Sequence, residues 1–233
     1  MRKYLIGAAA LAALLPAGQI ADAEPPAVFV AAGETYAAAE YYGELKPVCD
    51  ATWKTMSLSA EPLGGKELFC SIILPLRPTG TRDILTAECE LVIGGKTPQG
   101  RGDISGRFRF EFCDVKGRNA AGFALTCERG RHHRQALFIT DAGETVRRDC
   151  GFLTDCPLKL KLTFDRGKSV WRGEIIMDKI TIFRTGDQRL AEHAFVPAKL
   201  RMVAETNDPD DGMSFTVAMP EVRFQRPEAY GTP

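Results

Sequence analysis

The sequence RFRFEFC at residues 107–113 decides the fold, together with FALTC at residues 123–127. Charged residues alternate with phenylalanines in the first run, so the phenylalanines share one face of a β-strand, whereas a helix would scatter them around its axis. The residues between the two runs include Gly117 and Asn119, which are typical of turns. The two runs therefore predict a β-hairpin. If residues 119–121 form its tip, Cys113 lies opposite Cys127.

The same alternation of apolar and polar residues recurs downstream, for example at residues 85–93 and 158–164. Glycine and Asp-Gly turn residues separate these runs at hairpin spacing. The pattern predicts an all-β protein of about nine or ten strands in antiparallel sheets, arranged as a β-sandwich or as a closed β-barrel. Residues 36–46, which follow Thr35 and precede Pro47, predict one short N-terminal helix.

The N-terminus has the features of a secretory signal peptide. Two basic residues are followed by an apolar run over residues 4–15, and small residues precede Glu24. The apolar run is shorter than the roughly 20 residues that span a membrane. We therefore expect residues 1–23 to be removed and residues 24–233 to form a single mostly-β domain that is periplasmic or secreted and does not span the membrane.

The charge balance limits the classes of partner. The chain has 30 basic and 30 acidic residues, so its formal net charge is zero. A neutral chain argues against nucleic-acid binding, which needs a strongly basic surface. No cofactor motif is present, so we expect no cofactor.

The chain contains 7 cysteines, an odd number. In an exported protein, cysteines indicate disulfides first. Hairpin register and the turn at residues 77–80 favour one set of pairs and leave Cys49 as the free thiol or as a bridge between chains. The predicted pairs are Cys113–Cys127, Cys150–Cys156 and Cys70–Cys89.

One cluster of basic residues follows the second fold-deciding run. It comprises Arg129, Arg131, His132, His133 and Arg134. Arginine suits phosphate or carboxylate groups, and the arginines would repel a metal cation. Adjacent histidines on a strand also point to opposite faces, which disfavours a metal site. The cluster is most simply a solvated loop, and its functional interpretation is weak anion binding.

Two further motifs are explained better as turns than as functional sites. The tripeptide at residues 101–103 matches an adhesion sequence, but Gly and Asp are also what a turn needs. The acidic loop at residues 207–212 offers oxygen ligands for calcium, yet its spacing differs from that of a calcium-binding loop.

A search for catalytic residues identifies no known motif. Glu174 and Asp178 have the even spacing that places both on one side of a strand, about 13 Å apart at about 3.3 Å per residue. Glycosidases need carboxyl groups about 5–9.5 Å apart. The alternation loses phase near residues 175–176, which predicts a β-bulge that would shorten the separation. Trp53 and Trp171 would suit stacking on sugars or packing in the core.

The sequence thus favours a non-catalytic exported protein of the bacterial cell envelope, with a binding or structural role and a protein, glycan or lipid partner. One alternative is a barrel that carries a small apolar ligand or lipid inside apolar faces such as those of residues 108–112 and 158–164. A second alternative is a carbohydrate-active enzyme on a β-sandwich, with Glu174 or Asp178 as its acid or base.

Overall fold

A computed structural model of the protein describes residues 27–30, 35–59, 68–96, 105–117, 120–127, 134–139, 147–190, 195–206 and 212–226. These residues contain 17 β-strands and one 3-10 turn at Tyr36–Ala38. The strands are β1 (Ala27–Val30), β2 (Glu40–Gly43), β3 (Val48–Cys49), β4 (Thr55–Ser59), β5 (Leu68–Pro75), β6 (Ile84–Lys96), β7 (Gly106–Cys113), β8 (Ala120–Cys127), β9 (Arg134–Ile139), β10 (Arg147–Asp149), β11 (Pro157–Asp165), β12 (Val170–Met177), β13 (Ile180–Arg184), β14 (Gln188–Arg189), β15 (Lys199–Thr206), β16 (Gly212–Ala218) and β17 (Glu221–Gln225).

The strands form two antiparallel sheets. In the seven-stranded sheet the order is β10-β9-β8-β7-β15-β5-β2. In the ten-stranded sheet the main order is β13-β12-β11-β6-β16-β4-β3, with β1, β14 and β17 paired beside it. Both sheets end in edge strands instead of closing on themselves. The β-sandwich alternative is therefore confirmed, and the closed barrel is wrong.

Period-two alternation builds the core, as the sequence predicts. The phenylalanines of β7 and the leucines of β11 belong to different sheets, and both sets are fully buried in one hydrophobic cluster. Side chains of these two faces fill the space between the sheets. The carrier hypothesis would place its ligand between the same two faces.

The sheets approach each other closely at Phe123 of β8 and Gly173 of β12. A Cβ atom on Gly173 would lie 2.4 Å from Cδ1 of Phe123, so only glycine leaves room for the ring. Phe123 also packs against Phe110 and Phe183, with ring centroids 6.2 Å and 6.4 Å away. This aromatic group joins the two sheets.

Two secondary-structure predictions need correction. The expected helix over residues 36–46 is a 3-10 turn followed by strand β2. Tyr36 is fully buried and donates a hydrogen bond from its hydroxyl to the carbonyl of Ala218, so tertiary contacts override the local preference. The strand count is also higher than nine or ten, because short strands such as β3, β10 and β14 carry no alternation of their own.

The fold-deciding hairpin forms, but its register differs from the prediction. Cys113 pairs with Ala120, and Cys127 pairs with Gly106 at the other end of the ladder. At about 3.3 Å per residue the two cysteines are about 23 Å apart, so the predicted Cys113–Cys127 disulfide is wrong. The predicted irregularity near Ile175 and Ile176 is confirmed, because the register of β12 and β13 shifts between them.

None of the seven cysteines forms a disulfide in the structure. Cys70 and Cys89 lie in different sheets, so the turn at residues 77–80 crosses between sheets and does not close a hairpin. Cys150 and Cys156 are likewise not bonded to each other. Burial raises the pKa of the Cys150 thiol to about 11, although a backbone hydrogen bond from Phe152 opposes the shift, and a thiol with that pKa is not a reactive redox group.

Several predictions concern parts of the chain outside the described residues. They include the signal peptide at residues 1–23, the tripeptide at 101–103 and most of the acidic loop at 207–212. Within the described part of the chain, no helix has the length and apolar character needed to cross a membrane.

Candidate functional site

The outer face of the seven-stranded sheet carries a cluster of charged side chains that we call the arginine face. Arg107, Arg109 and Glu111 alternate with the core phenylalanines of β7 and so point away from the core. Arg201 and Glu205 lie beside them on β15, where Arg201 pairs with Glu111 and Glu205 pairs with Arg107. The strand register therefore brings together residues that lie about 90 positions apart in sequence.

Ion pairs hold these side chains in place. Arg107 donates from Nε to Glu205 at 2.8 Å and also contacts it through Nη2 at 2.8 Å. Arg109 contacts the other oxygen of Glu205 through Nη2 at 3.2 Å. Arg201 donates from Nε to Glu111 at 2.5 Å and from Nη1 to the carbonyl of Gly117 at 3.3 Å. The Glu205 carboxylate is thus shared by two arginines.

Glu111 is unusual because its side chain is 0% exposed. Its neighbour across the ladder is Gly122, where a Cβ atom would lie 2.6 Å from the Cα and Cβ of Glu111. A glycine at this position lets the Glu111 backbone and side-chain base lie close against β8. A buried carboxylate needs compensation, and Arg201 supplies it.

Ionisation of the groups beside Glu111 is shifted. Burial opposes the charge of Arg201, but the Glu111 carboxylate outweighs it, and the pKa of Arg201 rises above its ordinary value. Burial, reinforced by the Glu111 charge, raises the pKa of the Cys113 thiol to about 12. Cys113 therefore stays protonated at neutral pH and is no nucleophile.

Two exposed aromatic side chains extend the arginine face toward the sheet edge. Phe69 on β5 is 40% exposed and pairs with Glu205, while Tyr42 on β2 is 55% exposed and pairs with Ser71. At about 4.8 Å per strand, Phe69 lies about 10 Å from Arg107. The face thus combines exposed apolar rings with charged hydrogen-bonding groups on one rigid sheet.

Among the described residues of this face, three buried polar atoms have no hydrogen-bond partner: Nε of Arg109, Oε2 of Glu111 and Oγ1 of Thr126. All three belong to β7 or β8, which are neighbouring strands. Buried polar groups in folded proteins are normally paired, and leaving one unpaired costs about 1–3 kcal/mol. The three atoms are thus concentrated on two neighbouring strands of one sheet face.

The outer face of the ten-stranded sheet differs, because its charges pair with one another. Glu88, Lys161, Glu174 and Arg184 lie opposite one another on consecutive strands. Glu88 also contacts Lys159 at 2.7 Å. In such a row each charge is paired with a charge of opposite sign on the neighbouring strand. This pattern is typical of a solvated structural surface.

The structure does not support Glu174 and Asp178 as an acid and base pair. Glu174 accepts an ion pair from Arg184 at 3.0 Å. Asp178 lies outside β12, in the turn before β13, with a positive φ of 50°. The two carboxylates therefore do not share one strand face.

A pocket of about 320 Å³ opens on the same sheet where β16 ends and β17 begins. Its lining includes Glu88, Lys159, Glu221 and Arg223. These four groups are already paired, since Arg223 contacts Glu221 at 3.0 Å and Glu88 at 3.9 Å. Most charges of the pocket are therefore engaged with one another, and Glu90, which also lines it, lies opposite Lys159 across the ladder.

Because of Glu88, we predict that the stability of the fold depends on pH in the acid range. Burial opposes its charge, but the hydrogen bond and charge of Lys159, with the charges of Arg223 and Lys161, outweigh burial and hold the pKa of Glu88 below its ordinary value. A carboxylate with a lowered folded-state pKa stabilises the fold above its unfolded-state pKa, and this contribution is lost as the pH falls through the folded-state pKa.

We therefore expect the melting temperature of the wild type to fall more steeply than that of Glu88→Gln between about pH 5 and about pH 3. At neutral pH the same substitution should cost about 0.2–1 kcal/mol, since the partner cations are partly exposed. Thermal unfolding across pH provides the measurement, with Glu221→Gln as the control. Parallel curves for wild type and Glu88→Gln would contradict this assignment.

The predicted anion-binding residues fall almost entirely outside the described part of the chain. Arg129, Arg131, His132 and His133 lie there, and Arg134 begins β9 without a described side chain. Weak anion binding by that cluster stays a prediction. Among the described residues, no group of three or more His, Cys, Asp or Glu side chains is placed to hold a metal ion.

The two tryptophans have different environments. Trp171 is fully buried in the core, and Trp53 is half-exposed in the turn between β3 and β4. The sequence left sugar stacking and core packing open for both, and the structure places Trp171 in the core. The arginine face was not predicted, although its signal is present in the charges that alternate with phenylalanine at residues 107–111.

No protein family and no curated protein matches this sequence. Solved structures match its fold. The lectin UEA-II, solved in complex with galactose, superposes with a TM-score of 0.59 at 5% identity, over 80% of this chain and 92% of its own. The lectin from Bauhinia forficata in complex with GalNAc gives 0.58 at 7% identity, over 86% and 99%.

A third similar structure is the conserved carbohydrate esterase of the Shiga toxin-encoding bacteriophage phi24B. It superposes with a TM-score of 0.52 at 11% identity, over 86% of this chain and 97% of its own. At such low identities the likeness extends to the fold alone. The chain therefore has a lectin-like β-sandwich fold.

Proposed function

We propose that this protein binds carbohydrate on the arginine face and is exported to the periplasm or secreted. The observation that carries the proposal is the combination of exposed rings and unsatisfied polar groups on one sheet face. Similar folds in lectins solved with galactose and GalNAc support it. The export part rests on residues 1–23 alone.

The chemistry of the arginine face suits a sugar. Carbohydrate hydroxyls donate and accept hydrogen bonds, so they complement arginine donors and carboxylate acceptors. The apolar faces of sugar rings pack against exposed aromatic side chains such as Phe69 and Tyr42. The seven-stranded sheet holds all these groups on regular backbone, which favours a preorganised site.

Binding is better supported than hydrolysis. Glu111 and Glu205 are the two carboxylates of the arginine face, and the position opposite Glu205 lies four residues from Glu111. That offset is about 13 Å at about 3.3 Å per residue, beyond the roughly 5–9.5 Å of glycosidase pairs.

The test is a glycan array followed by calorimetry on the strongest ligand. The protein is purified from the periplasm or medium, where a chain that begins at Glu24 also supports export. We expect Phe69→Ala and Arg107→Ala each to weaken binding about tenfold, or about 1.4 kcal/mol, as central interface residues do.

Matched controls are available on the ten-stranded sheet. Ile180 is an exposed apolar residue and Arg184 an exposed, ion-paired arginine. Ile180→Ala and Arg184→Ala should leave affinity unchanged. No binding across the array, or equal losses in the controls, would contradict the proposed function.

A further inference from the structure

Arg109 differs from the other two arginines of the arginine face in how its nitrogens are used. Arg107 places two nitrogens on Glu205, and Arg201 uses Nε and Nη1 on Glu111 and Gly117. Among the described residues, Arg109 contacts only Glu205, through Nη2, and its buried Nε has no hydrogen-bond partner. Most of the five N–H donors of Arg109 therefore have no acceptor among the described residues.

The described charges of the arginine face do not balance. Three arginines share two carboxylates, because Arg107 and Arg109 both contact Glu205. Arg107 has the better geometry with that carboxylate, and Arg109 has the longer contact, at 3.2 Å against 2.8 Å. Counted over the described side chains alone, the surplus positive charge of the arginine face therefore lies on Arg109.

The Arg109 side chain is 31% exposed, so part of it is open to solvent on this face. Thr126, whose hydroxyl is buried and unpartnered, lies on the adjacent strand opposite Arg107. Arg109 and Thr126 are diagonal neighbours on adjacent strands, about 7–8 Å apart and within reach of one ligand group. Both groups can donate a hydrogen bond, so they favour an acceptor that carries negative charge.

Building on the proposed carbohydrate binding, we propose that the glycan is anionic and that Arg109 holds its carboxylate or sulfate group. The planar guanidinium binds such groups through two parallel hydrogen bonds, which a lysine cannot reproduce. A neutral sugar would leave the surplus charge of the arginine face uncompensated. The ligand class is therefore an acidic oligosaccharide, with its ring packed toward Phe69 and its anionic group at Arg109.

The experiment compares matched pairs of probes that differ only in charge. Tri-galacturonic acid is compared with its neutral methyl ester, and a sulfated galactan oligosaccharide is compared with its desulfated form. Calorimetry on the full protein should give at least tenfold tighter binding of one charged probe over its neutral partner. The preferred pair distinguishes a carboxylate from a sulfate.

Three variants test the role of Arg109. Arg109→Gln should abolish the preference for the charged probe, Arg109→Lys should retain only part of it, and Arg184→Gln should retain all of it. Thermal unfolding confirms that each variant is folded, and the lysine variant keeps the test valid if the glutamine variant does not fold.

The outcomes separate this inference from the proposed function. Equal binding of charged and neutral probes by the wild type overturns the inference and leaves carbohydrate binding intact. No binding of any probe, together with an empty glycan array, overturns both. A preference that persists in Arg109→Gln overturns the role of that arginine.

Discussion

Phe123→Ala is expected to lower the free energy of unfolding by about 3–5 kcal/mol, the range for phenylalanine truncation in a packed core. Phe123 is fully buried and lies between the two sheets. Its ring packs against Phe110 of its own sheet and Phe183 of the other. Removing the ring leaves a cavity between the two sheets. The strands that border it are held by pairing within their own sheets, so they cannot move together to fill it.

Chemical denaturation measures this loss, and Phe69→Ala is the matched control. Phe69 is a phenylalanine on the outer face of the same sheet, where truncation leaves no cavity. Its replacement should change stability by no more than about 0.5 kcal/mol. If both variants lose the same stability, Phe123 does not join the sheets in the way described.

A double-mutant cycle with Gly173 tests the contact directly. A methyl group at Gly173 would overlap the Phe123 ring, so Gly173→Ala alone should destabilise the fold, by about 1–3 kcal/mol for overpacking. In the Phe123→Ala background the added methyl group partly fills the cavity, and the cost should largely disappear. Additive losses would show that the two positions do not touch.

The core was predictable from sequence because period-two alternation is a local signal. At residues 107–113 and 158–164 the pattern alone assigns each side chain to the core or the outer face, and the structure confirms it. The bulge near Ile175 was also readable, since a change of phase leaves a trace in the sequence.

Strand pairing was much less predictable, because it depends on contacts between distant segments. β5 and β6 are consecutive and look like a hairpin, yet they lie in different sheets, which removed the basis for a Cys70–Cys89 disulfide. The hairpin register differs from the prediction for a related reason. Gly117 adopts a positive φ of 68° in a turn that begins soon after Cys113, so the chain reverses earlier than the Asn119 tip implied.

The arginine face was likewise predictable only in its local pattern and not in its strand pairing. Alternation places Arg109 and Glu111 on the outer face of a strand, which the sequence reveals. It does not reveal that β15 lies beside β7 and brings Arg201 to Glu111. Without that register Glu111 reads as an ordinary exposed charge, whereas the structure buries it completely.

Arg201→Leu is expected to destabilise the protein by about 3 kcal/mol, at the lower end of the 3–5 kcal/mol cost of breaking a buried ion pair. The lower end applies because the Arg201 side chain is 24% exposed, which lets some water replace it. Glu111 would then be a buried carboxylate without its counter-charge, and its second oxygen already lacks a partner. Chemical denaturation at neutral pH measures the loss.

Two further variants decide whether the cost comes from the stranded charge. Replacing both residues in Glu111→Leu/Arg201→Leu removes the charge together with its partner, so most of the lost stability should return. Arg184→Leu breaks the exposed pair with Glu174 on the other sheet and should cost no more than about 1 kcal/mol. If the double variant is as unstable as Arg201→Leu, the loss reflects packing of the arginine stem, and Glu111 is not the group that makes Arg201 essential. If stability recovers in the double variant, the native ion pair stabilises the fold no more than two leucines do. That result is expected for charges that serve the binding face.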